Sequence, residues 1–224
     1  SRDWSSDVCS SDLLDIPKLS AKERKDPGRP LGEIMRQPVF VVAVLASMLS
    51  YGIMNLMMTS TPLAMRAHDH PFNDAALVLE WHVIGMYAPS FFTGSLVQRF
   101  GVLNVILAGI VLLFVCIAFA LTGTTLMNFW VAMFLLGVGW NFMYVGATAL
   151  ITTTYRPAEK AKAQAANEIA IFGTMVSSSL PSGFLLDYSG WEIINWASLP
   201  FIAVSGVALL WLMAKQARPA QAAA

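Results

Sequence analysis

The chain has 224 residues; 56% are hydrophobic, only 12% are charged, and 14 basic and 14 acidic side chains cancel to a formal net charge of zero. Soluble domains carry about 25% charged residues, so the composition excludes an ordinary soluble core and indicates a membrane protein. Zero net charge gives no ground for a nucleic-acid partner, and Cys9 and Cys116 make neither a disulfide framework nor a zinc spacing.

Residues 1–13 read SRDWSSDVCSSDL. From Asp3 to Leu13 this resembles the translation of a common sequencing-adapter oligonucleotide. On that resemblance residues 1–13 are an artefact, expected to be disordered and set aside from fold reasoning. The natural N-terminus is then expected to be missing and the chain to be a fragment. Residues 14–37 form a charged linker, expected to be cytoplasmic, with Lys18, Lys22, Arg24, Lys25, Arg29 and Arg36. Pro27-Gly28 and Pro30 break any long helix in it. It is expected to be solvated and to hold no site.

From residue 38 to 215 the pattern predicts six membrane-crossing helices. A crossing needs about 20 residues, and the first span, Pro38 to Thr61, has no Asp, Glu, Lys or Arg. Tyr51, Asn55 and Thr59 recur along it at helical spacing and form one polar stripe. A loop follows from Pro62 to Asp74. Its His68-Asp69-His70 lacks further ligands for a metal, so no metal is expected, and Asn73 or Asp74 is the expected helix cap.

The second span, Ala75 to Gly101, carries Glu80, His82 and a central Pro89. Ionisable groups inside a span are costly and are candidates for function. The proline removes a backbone donor and predicts a bend. At 100° per residue His82, Gly85, Met86, Pro89 and Thr93 share one face, with Glu80 opposite. That face is expected to line an aqueous pathway. For His82 the alternative is a core imidazole bonded to a neighbouring helix; for Glu80 it is a carboxylate snorkelling to the interface.

Phe100 to Tyr155 contains no Asp, Glu, Lys or Arg. At 1.5 Å per residue this run is too long for one crossing, so it turns back at Thr122–Thr125. The third span, Val102 to Leu121, is apolar all round and expected to face lipid. The fourth, Leu126 to Thr152, gathers Trp140, Asn141, Tyr144 and Thr148 on one side; its buried Asn141 either bonds another helix or meets a ligand. The fifth, Ala163 to Leu186, carries Asn167 and Glu168 near its charged end, suited to gating or to substrate contact. The sixth runs from Ile193 to Ala214, and residues 216–224 are expected to be a disordered tail.

Leaving out Arg2, 12 of the remaining 13 Lys and Arg lie in segments that six spans place on one side; Arg66 alone is opposite. The positive-inside rule makes that side cytoplasmic, with both ends of the chain there. The expected location is the bacterial inner membrane, multi-pass. In each trio of spans the first two are polar and the third is plain, which predicts two inverted three-helix repeats in an all-α membrane protein.

RPLGEIMRQPVF, EWHVIGMYAPSFFTGSLVQRFG, LLGVGWNFMYVGATALI, YRPAEKAKAQAANE and SGFLLDYSGW together resemble the C-terminal half of a bacterial major facilitator superfamily transporter. Gly94, Arg99 and Gly101 match that family's signature loop, while Gln98 stands where it has Asp, and Val102 and Leu103 where it has a basic pair. The resemblance implies a twelve-helix protein whose other half is missing, and alternating access with a small organic solute held between halves. It implies a coupling ion or uniport, no cofactor and no catalytic residue. Tyr51, Asn55, His82, Met86, Trp140, Asn141 and Tyr144 are the expected substrate contacts; Arg99, Asn167 and Glu168 are the expected gating residues. The alternative is a six-span intramembrane enzyme of the rhomboid-like protease type. Its nearest nucleophile motif, Ala203-Val204-Ser205-Gly206, lacks the first glycine.

Overall fold

The computed structural model describes residues 28–222, and the side chains within that range apart from 181–189 and 218–222. The adapter-like residues 1–13 and the linker up to residue 27 lie outside the described residues. Regular structure among the described residues is helical: α1 (Leu31–Met35), α2 (Pro38–Ala67), α3 (Phe72–Tyr87), α4 (Ser90–Phe100), α5 (Val102–Leu121), α6 (Leu126–Thr152) and α7 (Lys160–Ala222). A single 3-10 turn, Pro157–Glu159, precedes α7. Helix α7 consists of two limbs broken at Gly190, where φ is 76° and ψ −178°.

Several boundaries differ from the sequence expectation, each for a physical reason. Pro62 does not end the first span, because Ala64 and Met65 are fully buried and their packing carries α2 on to Ala67. The following loop therefore shrinks to a tight turn. In it His68 Nδ1 donates to the Ala64 carbonyl and His70 Nε2 to the Thr124 carbonyl, each at 2.8 Å. The N-cap of α3 is Pro71, without a side-chain bond, and Asp74 sits in the first turn instead. The expected bend at Pro89 separates α3 from α4 by 41°. Residues 216–222 of the expected tail continue α7 as helix, in keeping with alanine's high helix propensity; residues 223–224 lie outside the described residues.

Four helical segments among the described residues are long and apolar enough to cross a bilayer, and the bent α3–α4 pair makes a fifth. The first limb of α7 does not qualify on composition. Lys160, Lys162 and Glu168 and the run Ser177 to Ser179 dilute it. It nevertheless runs parallel to α2: Ser47 bonds Asn167, Thr174 lies against Gly52, and Asn55 bonds Ser178. The two helices therefore cover the same depth.

Helix α6 is central. It buries Phe129, Met133, Leu136 and Met143 against its neighbours. Helix α5 buries Ile106, Ile110, Leu113 and Ile117 and leaves Val111, Phe114 and Val115 exposed, as a lipid-facing helix does. In hydrocarbon such packing is driven by van der Waals fit rather than by escape from water.

The turns sort into two ends. His70 reaches Thr124, and Trp191 Nε1 donates to the Ala120 carbonyl at 3.1 Å, so the α2–α3, α5–α6 and Gly190 turns share one end. At the other, Arg29 meets Glu159, and the α4–α5 turn lies beside Met213 and Gln216.

Candidate functional site

Two neighbouring regions of α6 hold the expected site residues, and they behave differently. The first is its seam with α3 and α4. His82, Gly85, Met86, Pro89 and Thr93 are all buried, so the predicted common face exists. It faces α6 and not open space. A Cβ on Gly137 would lie 2.5 Å from the His82 carbonyl oxygen, and one on Gly85 would lie 2.7 Å from the Phe134 carbonyl oxygen. Only glycine lets the backbones come this close.

His82 is fully buried there, with Nδ1 2.8 Å from the Met133 carbonyl. That oxygen only accepts, so Nδ1 carries the proton. Asn141 is 1% exposed and satisfied on both sides. Its Nδ2 donates to the Met86 carbonyl in the last turn of α3 and to Ser90 Oγ at the start of α4, both at 2.7 Å. Its Oδ1 accepts from Thr93 Oγ1, also at 2.7 Å. Asn141 thus clamps both sides of the Pro89 bend. In this structure Asn141 and His82 Nδ1 bond neighbouring helices, the arrangement of the interhelical alternative, while His82 Nε2 has no partner.

The second region is the corner where α2, α6 and the end of α3 meet, with the first limb of α7 running beside α2. Tyr51 stands edge-on to Trp140 (ring centroids 5.0 Å) and to Tyr144 (4.9 Å), while Trp140 and Tyr144 stack at 5.1 Å. Met54 and Met86 are buried against this cluster and Met58 packs on it. Tyr51 and Tyr144 are half-exposed, so ring faces remain available. Trp140 is 4% exposed and its Nε1–H has no acceptor. A buried indole donor ordinarily finds one.

Asn55 lies one turn above Tyr51 on α2. Its Nδ2 reaches Ser178 Oγ at 3.0 Å and Ser179 Oγ at 2.6 Å. Four of the expected contacts, Tyr51, Met86, Trp140 and Tyr144, are therefore one cluster, with Asn55 beside it. Glu168 is half-buried.

Of the other expected gating residues, Asn167 is fully buried and accepts from Ser47 Oγ at 2.6 Å. It is a seam residue between α2 and α7. Arg99 is exposed, with its guanidinium 5.4 Å from the Phe100 ring centre.

The sequence carries no local sign of what anchors residues 28–37. Arg29 donates to Glu159 from its backbone N (2.7 Å), Nε (2.9 Å) and Nη2 (2.8 Å), and to the Thr154 carbonyl at 3.0 Å. Gln37 Nε2 donates to the same carbonyl at 2.9 Å. Gly28 has φ +62, and a Cβ there would meet Glu159 Cγ at 2.6 Å. This part of the linker is docked, contrary to the expectation of a solvated segment. The partners are 130 residues apart, beyond any short-range pattern. Arg29, with help from the Arg156 backbone N–H, holds the Glu159 carboxyl well below the usual carboxylate range.

A separate cavity of about 360 Å³ between α2 and the two limbs of α7 is lined by Leu49, Ile53, Leu56, Thr174 and Phe201 among others, and by none of the expected site residues.

Residues 42–224 match the family model of the Major Facilitator Superfamily. The chain belongs to that superfamily. It is 44% identical to "Riboflavin transporter RfnT" of Brucella anthropi, over 94% of this chain and 55% of the relative. Two Bacillus subtilis proteins, "Uncharacterized MFS-type transporter YddS" and "Uncharacterized MFS-type transporter YdeG", are 31% and 34% identical over 79% and 69% of this chain, and 42% and 36% of their own lengths. The chain thus spans about half the length, or less, of these superfamily relatives. The match gives the rhomboid-like alternative no support. The all-helical, multi-pass build is that of half a superfamily fold.

Proposed function

We propose that this chain is one half of a twelve-helix transporter that moves a planar aromatic solute of the flavin class by alternating access. The aromatic corner is its share of the substrate wall, and the absent half supplies the opposite wall. The Arg29 end is cytoplasmic, in keeping with the clustering of Lys and Arg there.

One observation carries the reading. Tyr51, Trp140 and Tyr144 form a ring cluster with two half-exposed faces and one buried N–H donor lacking an acceptor. Ring faces take a planar heterocycle by stacking, and a bare donor takes a ring carbonyl. The relative named as a riboflavin transporter favours a flavin. Asn141 acts through the bend that positions Met86, not by touching the solute.

Radiolabelled riboflavin uptake by the intact transporter, in cells deprived of their own uptake, tests this. Trp140→Phe keeps the ring and removes the donor. It is expected to raise KM about three- to tenfold, as loss of one hydrogen bond does. Absence of riboflavin uptake by a well-expressed wild type would overturn the flavin assignment.

A further inference from the structure

The corner has an unusual charge inventory. Helix α2 has no Asp, Glu, Lys or Arg before Arg66, and none occurs from Gly101 to Tyr155, which covers α5 and α6. On α3, Glu80 is exposed and on the side opposite the buried face. Between Ala163 and Leu180, on the first limb of α7, Glu168 is the one charged residue. Among the described residues the single ion pair is Arg29–Glu159, at the far end of that limb's first turns. The wall therefore presents one carboxylate and no cation.

Its direction follows from helix geometry. Met175 and Ser179 lie seven and eleven residues after Glu168, within about 20° of it around a helix of 100° per residue. Both reach Asn55: the Met175 carbonyl accepts from its Nδ2 at 3.1 Å and Ser179 Oγ lies 2.6 Å from it. Asn55 is one turn from Tyr51 on α2. Glu168 thus belongs to the edge of α7 that follows the Tyr51–Asn55 stripe, on the cytoplasmic side of the ring cluster.

We propose that Glu168 is a charge filter for the aromatic corner: neutral and cationic planar solutes are accepted, and anionic ones, including phosphorylated flavins, are rejected. The proposal rests on the reading of that corner as substrate wall. Water is partly excluded there, so like charges repel more strongly than in bulk. At a separation of about 8 Å and an effective dielectric constant of about 20, repulsion between unit charges amounts to roughly a thirtyfold loss of affinity.

Calorimetric titration of the full-length protein in nanodiscs tests it with two matched pairs: riboflavin against riboflavin 5′-phosphate, and tryptamine against indole-3-acetate. In the wild type the first member of each pair is expected to bind at least tenfold tighter. Glu168→Gln should shrink each ratio by about tenfold, and Glu168→Lys should favour the anion. Wild-type ratios near one overturn the filter even if neither variant folds, and so do ratios that Glu168→Gln leaves unchanged. If the flavins fail to bind while the indole pair separates in a Glu168-dependent way, the flavin assignment falls and the filter stands. Equal binding of riboflavin and its phosphate, with Glu168 without effect, removes the filter and leaves the flavin assignment. Binding by neither pair removes both.

Discussion

Trp140 and Asn141 are consecutive on α6 and almost equally buried, yet they sit in different environments. Asn141 turns towards α3 and α4, where every polar atom it offers is met. Trp140 turns towards Tyr51 and Met54 of α2 and Met86 of α3, where its rings are stacked and its N–H is not met. The seam is closed by glycines and interhelical bonds; the corner is built of large rings and methionines that leave faces open. An unmet polar atom by itself does not distinguish the two, since His82 Nε2 in the seam and Asn167 Nδ2 between α2 and α7 also lack partners; the exposed ring faces beside Trp140 do. Burial alone does not separate the two.

The sharpest way to break this contrast is to part the seam. Gly137→Leu forces side-chain atoms against the His82 carbonyl and the Met86 backbone. It is expected to cost about 3 kcal/mol or more, seen as loss of monodisperse protein after extraction. Recovery at wild-type yield would mean that the close approach of α3 and α6 is not required.

A smaller loss is expected from Asn141→Ala. It leaves the Met86 carbonyl without its Asn141 donor, at about 1–3 kcal/mol; the Thr93 hydroxyl keeps the Pro89 carbonyl. Thermal unfolding in detergent should show a lower midpoint, whereas Trp140→Phe should leave the midpoint close to wild type. If the two variants swap these effects, the seam and the corner have been misassigned.

The smallest effect concerns the docked linker. Glu159 has its carboxyl held low in the folded protein by Arg29, so its contribution is present above the ordinary carboxylate pKa and is lost only as pH falls below that range. Amide exchange of residues 28–37 should therefore stay protected from about pH 8 down to about pH 5. Glu159→Gln should weaken the protection at every pH. Protection that fades near the ordinary carboxylate pKa would show the pairing to be weaker than its geometry.

Much of the fold was legible from charge and hydropathy. The uncharged runs became α2, α5 and α6, and Thr125 begins α6 with a reciprocal cap to Asn128 as a turn residue should. Pro89 bends the second span. Pro62 was misread as a stop, because proline signals a break only where packing does not compensate. The site was half legible. Helical spacing placed Tyr51 with Asn55 and Trp140 with Tyr144, but it could not tell which flank of α6 met another helix. Asn141 and Tyr144 look equivalent on a wheel. Arg29 and Glu159 left no trace, because nothing in a one-dimensional pattern links residues so far apart.

The sequence by itself determined that the chain lives in a bilayer, where α5 turns back into α6, and which end carries the positive charge. Hydrocarbon penalises every unpaired backbone group and every stray charge, and that penalty is written residue by residue. The tertiary structure alone decided which polar side chains bond a neighbouring helix and which remain open for a partner. That depends on how close two backbones come, and glycines on separate helices set this distance only once the helices have met.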